Sequence, residues 1–196
     1  MVKKKKITKK KITKKKEVKR KDTKEIKIKV DFGTQRIISD DSEAKNLYEQ
    51  SRFGEVKEGS IQYSLVEALY LLEKRKMDIY QGKKKLKAND FLKMAQKLEP
   101  NFWVRYVVFK DMRNRGYIIN TALKFGADFR VYDRGIKPGE DHAKWILYPI
   151  KETYVMPLYE FAAKNRVAHS TRKRLLVGIV DEESDVTYYT VAWTRP

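Results

Sequence analysis

The first 24 residues place the strictest limit on how this chain folds. Fourteen of them are Lys or Arg (Lys3 to Lys6, Lys9 to Lys11, Lys14 to Lys16, Lys19, Arg20, Lys21, Lys24), opposed only by Glu17 and Asp22. A block of that density repels itself and holds too few apolar side chains to offset the entropy of ordering, so residues 1–24 are expected to be a disordered tail. Such a tail either aids solubility or acts as a non-specific nucleic-acid arm, each neutralised phosphate releasing counterions without any choice of sequence. Of the net charge of +19, the tail supplies +12 and leaves +7 on the body, which keeps a polyanionic ligand in view for the body itself.

The chain of 196 residues is 41% hydrophobic and 12% aromatic, enough for one large core or two small ones. No apolar run approaches the roughly 20 residues that span a bilayer, and none follows the basic amino terminus as in a secretory signal. A soluble, cytoplasmic protein is expected. The absence of cysteine excludes disulfides, thiolate zinc sites and cysteine nucleophiles, and His142 and His169 are the only imidazoles. No metal or other cofactor is called for.

Ile26, Ile28, Val30 and Phe32 alternate with charged residues, the period of a half-buried strand, and Ile37 and Ile38 offer a second. Ser64 with Glu67 forms a capping box before Leu65, Ala68, Leu69 and Leu72, and Asp90 is placed to cap a helix bearing Phe91, Met94, Ala95 and Leu98. Residues 25–99 thus read as an α+β amino-terminal domain. From Asn101 a second unit, 100–196, begins with a helix carrying Phe102, Tyr106, Phe109 and Met112 and ending at Gly116. Strands are predicted at Tyr117–Ile119, Phe129–Tyr132, Lys144–Tyr148, Leu175–Val180 and Val186–Trp193, with a helix from Pro157 to about Asn165. The fold class is therefore α/β, with a mixed second domain.

No phosphate-cradling glycine loop, GxSxG or HExxH is present. Instead a loop with Gly135, Pro138 and Gly139 leads from Tyr132 to His142, and Arg166, Arg172, Lys173 and Arg174 precede an apolar strand. Tyr, His and Lys are side chains with which RNA phosphodiester cleavage proceeds without metal. One group takes the proton of the 2′-hydroxyl, one protonates the departing 5′-oxygen, and a cation stabilises the phosphorane. On spacing alone a histidine at a loop–strand junction is ordinarily a solvated surface residue and a strand tyrosine ordinarily packing, and His169 serves as well as His142 for the acid. A metal-dependent nuclease using Asp128 and Asp133 is a further alternative.

The stretch Tyr106–Tyr132, YVVFKDMRNRGYIINTALKFGADFRVY, resembles the signature of archaeal tRNA-splicing endonucleases (tRNA-intron endonucleases). DHAKW at Asp141–Trp145, RVAHSTRKRLLVGIVD at Arg166–Asp181 and DVTYY at Asp185–Tyr189 follow in the family's order, and YSLVEALYLL at Tyr63–Leu72 is similar to its amino-terminal helix. The resemblance covers about residues 30–196. It implies a restriction-endonuclease-like mixed α/β catalytic domain behind the α+β domain, with Tyr132 as general base, His142 as general acid and Lys173 stabilising the transition state. Products would be a 2′,3′-cyclic phosphate and a 5′-hydroxyl, with nearby cations such as Lys173 lowering the phenol's pKa. His169 is then structural or superficial.

The same resemblance implies precursor tRNA with a bulge–helix–bulge as substrate, Arg166 clamping a bulge base and Trp193 as its candidate partner, the alternative for Trp193 being a core position on the last strand. It gives the acidic turn Asp181, Glu182, Glu183 and Asp185 the task of entering a basic cleft on a neighbouring subunit. A homotetramer is expected, the alternatives being a heterotetramer with a structural subunit or a non-catalytic RNA-binding subunit.

Overall fold

The structure is a computed structural model describing residues 26–30, 36–122, 126–136, 138, 139 and 141–194, with backbone alone at 26–30 and 36. The lysine-rich tail and Phe32 lie outside the described residues. The described residues form two sheets. The first is six-stranded and contains β1 (Ile26–Val30), β2 (Arg36–Ser39), β3 (Glu55–Lys57), β4 (Ser60–Ser64), β5 (Met77–Gln81) and β6 (Lys84–Lys85) in the order β3-β4-β2-β1-β5-β6. Only β1 and β5 run parallel; the other pairs are antiparallel.

Helices α1 (Ser42–Ser51), α2 (Leu65–Glu73) and α3 (Ala88–Leu98) accompany this sheet. The predicted capping box opens α2. Glu67 Oε2 accepts from the Ser64 backbone N–H at 2.9 Å and its Oγ at 2.7 Å, while Oε1 accepts from Gly54 N–H at 2.8 Å. Every residue of α2 from Leu65 to Leu71 is buried, so this helix is central and not amphipathic. The second predicted cap is displaced: Lys87 is at the N-cap of α3 and Asp90 falls in its first turn, where a carboxylate still complements the helix dipole.

The second sheet contains β7 (Ile118–Thr121), β8 (Phe129–Tyr132), β9 (Trp145–Lys151), β10 (Arg174–Val180) and β11 (Val186–Val191), ordered β11-β10-β9-β8-β7. Its one parallel pair, β9 with β10, is joined through α5 (Leu158–Ser170), a turn longer than predicted. The last strand is shorter than predicted and ends before Trp193. Ile146, Tyr148, Leu175 and Val177 pack with Ala168 and Phe161 of α5, while α4 (Phe102–Asn114) covers the opposite face. The architecture is the α/β class expected, with mixed sheets.

One continuous core joins the two halves, running from Ile37 through α2 and α4 to Val180. Arg113 fastens the seam: its guanidinium lies 3.9 Å from the Phe53 ring centroid and donates to the carbonyls of Ser51, Arg52 and Ile119. Burial lowers its pKa to about 10. Lys110 pairs with Glu73 at 2.7 Å, and Tyr70 donates to Asn114. Among the described residues no helix is long and apolar enough to cross a membrane.

Candidate active site

The register of the second sheet gathers three distant segments at one edge. Val131, Trp145 and Arg174 lie side by side across β8, β9 and β10. The ladder continues outward, with Lys144 N–H donating to the Val131 carbonyl at 2.9 Å and Arg174 N–H to the Lys144 carbonyl at 3.0 Å. Tyr132, Lys144 and Lys173 are the next residues along, on the face opposite the Val131 side chain. The parallel β9–β10 pair makes this possible. Both strands start at the edge where antiparallel β8 ends, so the Asp133–Ala143 loop and the end of α5 emerge together.

Between them is an open pocket of about 740 Å³ whose described lining includes both His142 and Lys173. Lys144, Arg172 and Arg174 add three cations and His169 a second imidazole, against the carboxylates of Asp133 and Asp141. Such a surface suits a phosphodiester. Lys173 is held by two contacts: its N–H donates to the Ala168 carbonyl at 2.8 Å and its Nζ to the Thr171 carbonyl at 2.8 Å. Arg172 makes the bend with φ of 57°. Asp133 accepts from Lys144 Nζ at 2.5 Å, which lowers its pKa. His142 is exposed, with its backbone N–H on the Asp141 carboxylate at 2.6 Å.

Tyr132 is not among the lining residues. It is 5% exposed and adjoins the pocket through Asp133. Burial raises its pKa, Arg130 opposes the rise, and Glu55 and Tyr48 reinforce it. The expectation that Lys173 lowers it is corrected: the opposing cation is Arg130, which also lowers the Lys173 pKa after the larger effect of burial.

His169 is exposed in the last turn of α5, in keeping with a surface position. It lies on the pocket wall, and its ring packs against Trp193 at 4.5 Å between centroids. Its position four residues before Lys173, at a helix end, was the available signal. Trp193 is 52% exposed beyond β11, so its reading as a core residue on the last strand fails. It joins the rim through His169. Arg166 is exposed on α5, one turn before His169, and is not among the lining residues.

The acidic residues are elsewhere. Asp181 accepts the Asp185 N–H at 2.8 Å and shapes the β10–β11 turn, leaving Glu182, Glu183 and Asp185 exposed. Seven-residue β10 separates this turn from the pocket by about 20 Å at ~3.3 Å per residue. Asp128 pairs with Arg105 at 2.9 Å, apart from the Asp133–Lys144 pair. Among the described residues no group of three His, Asp or Glu is placed to hold a metal ion.

Two family models match the chain, the tRNA intron endonuclease N-terminal domain over residues 30–92 and the catalytic C-terminal domain over residues 102–188. A tRNA-splicing endonuclease of Thermococcus gammatolerans is 40% identical over 161 residues, covering 82% of this chain and 94% of the relative. One of Nanoarchaeum equitans is 46% identical over 138 residues, with 67% and 88% covered, and one of Methanothermobacter thermautotrophicus 37% over 153, with 78% and 89% covered. With both domain models matched in order and similarity across most of its length, this chain belongs to the tRNA intron endonuclease family.

Proposed function

We propose that this protein is a tRNA-splicing endonuclease that cuts precursor tRNA at bulge–helix–bulge boundaries by attack of the 2′-hydroxyl on the adjacent phosphate. The observation that carries the reading is the basic pocket holding His142 and Lys173 at the sheet edge where the Tyr132 strand ends. Tyr132 takes the 2′-hydroxyl proton, the phosphorane forms with its charge against Lys173, and His142 protonates the leaving 5′-oxygen. The products are a 2′,3′-cyclic phosphate and a 5′-hydroxyl. Residues 25–99 serve as the amino-terminal domain and 100–196 as the catalytic one. Arg166 and Trp193 flank the end of α5, where unpaired bases splayed from a bulge have room to stack.

We further propose a homotetramer in which Glu182, Glu183 and Asp185 enter a neighbouring subunit. A cleft of about 450 Å³ lined by Lys74, Lys76 and Arg113, with no carboxylate among its described lining residues, has the complementary charge. The functional test is cleavage of a bulge–helix–bulge RNA in excess EDTA. Retained cleavage at the two boundaries supports the reading, and loss of cleavage in EDTA contradicts it.

A further inference from the structure

Arg130 is two residues before Tyr132 on β8, so the pleat places both side chains on one face, opposite Phe129 and Val131 in the α4 core. Its guanidinium faces Glu55 of β3 with Nη2 3.9 Å from Oε1, a contact from one sheet to the other. Neither the sequence pattern nor the proposed chemistry uses Arg130. Resting on the reading of Tyr132 as the base, we infer that Arg130 is a positioning residue for the reaction: it holds a positive charge against the Tyr132 phenol, and Glu55 of the amino-terminal sheet holds that charge in check.

Arg130 on its own strand, Glu55 on β3 and Tyr48 on α1 are the ionisable groups that act on the phenol. Arg130 favours the phenolate against burial, whereas Glu55 and Tyr48 favour the neutral phenol. Removing Arg130 therefore lowers the ionised fraction of Tyr132, and removing Glu55 raises it. Packing alone predicts no such opposition, since loss of either partner of a structural pair harms the site in the same direction.

The test is single-turnover cleavage of a bulge–helix–bulge RNA at saturating protein from pH 5.5 to 8.5, with RNA affinity measured separately. Arg130→Gln is expected to cleave on the order of tenfold more slowly. Arg130→Lys is expected to restore most of the rate, and Glu55→Gln to exceed the unaltered protein about threefold. Arg130→Gln at the unaltered rate, or Glu55→Gln moving the rate down, overturns the inference. The Glu55 side chain is 42% exposed, so its variant keeps the test decisive should Arg130→Gln fold poorly. Tyr132→Phe separates the two ideas: slow cleavage with Arg130→Gln unaffected fails Arg130 alone, whereas full activity in Tyr132→Phe fails the base reading and this inference with it.

Discussion

Tyr132 is placed where burial and the Glu55 carboxylate disfavour its anion and the Arg130 guanidinium favours it. His142 is exposed and free to meet a leaving group at the pocket mouth. With His142 proposed as the general acid, His142→Ala is expected to slow cleavage by on the order of 10²–10⁴-fold with RNA affinity nearly unchanged, as single-turnover kinetics beside equilibrium binding will show. The ordered motifs, not spacing, pointed to Tyr132, His142 and Lys173; strand register brings His142 and Lys173 into one pocket and ends the Tyr132 strand beside it. Arg130 was not legible: a charged residue alternating with Phe129 and Val131 reads as the solvent face of a strand, and its partner Glu55 belongs to another sheet. His169 served as well as His142 on composition, and only the family resemblance favoured His142; proximity to Lys173 carries His169 into the same pocket.

Helix α2 shows how local signals and tertiary packing agree. Glu67, 5% exposed, both completes the capping box and accepts the Gly54 N–H. Glu67→Ala leaves these donors unmet in a buried place and is expected to cost about 3 kcal/mol, seen by calorimetry as a fall in Tm of roughly 6–12 °C. Gly54 itself has φ of +82°, and a Cβ there would lie 2.6 Å from Ile61 Cγ2 and 2.9 Å from the Gln62 carbonyl oxygen. Gly54→Ala is therefore expected to destabilise at least as much, measurable as an earlier denaturant midpoint at unchanged m-value. The capping box, the α4 face and the carboxy-terminal strands were visible because each carries its own periodicity. Helix α1 was missed because only Ala44 and Leu47 of its ten residues are buried. Strand β3 is three residues long and is defined by pairing with β4, and β1 and β5 find each other in parallel across half a domain. Strands specified by their partners leave little trace in their own segments.

At the scale of the whole molecule, charge is divided between a basic pocket, an acidic turn about 20 Å away along β10, and a lysine-rich tail. Light scattering of the purified chain is expected to give the mass of a tetramer, and charge reversal at Glu182 and Glu183 to reduce it; a monomer in the unaltered chain contradicts the assembly. Deleting residues 1–24 is expected to weaken RNA binding at low salt and flatten its salt dependence while leaving the cleavage positions unchanged, and an equal salt slope would mark the tail as a solubility element. The account as a whole depends on phenol, imidazole and ammonium acting on a single ribose–phosphate linkage whose own 2′-hydroxyl is the nucleophile. The most direct measurement replaces only the ribose 5′ to the scissile phosphate by 2′-deoxyribose in a bulge–helix–bulge RNA and analyses the ends formed in EDTA. The intact strand is predicted to yield 2′,3′-cyclic phosphate and 5′-hydroxyl ends and the substituted strand to stay uncut; cleavage of the substituted strand at the normal rate, or 3′-hydroxyl ends from the intact one, would contradict it.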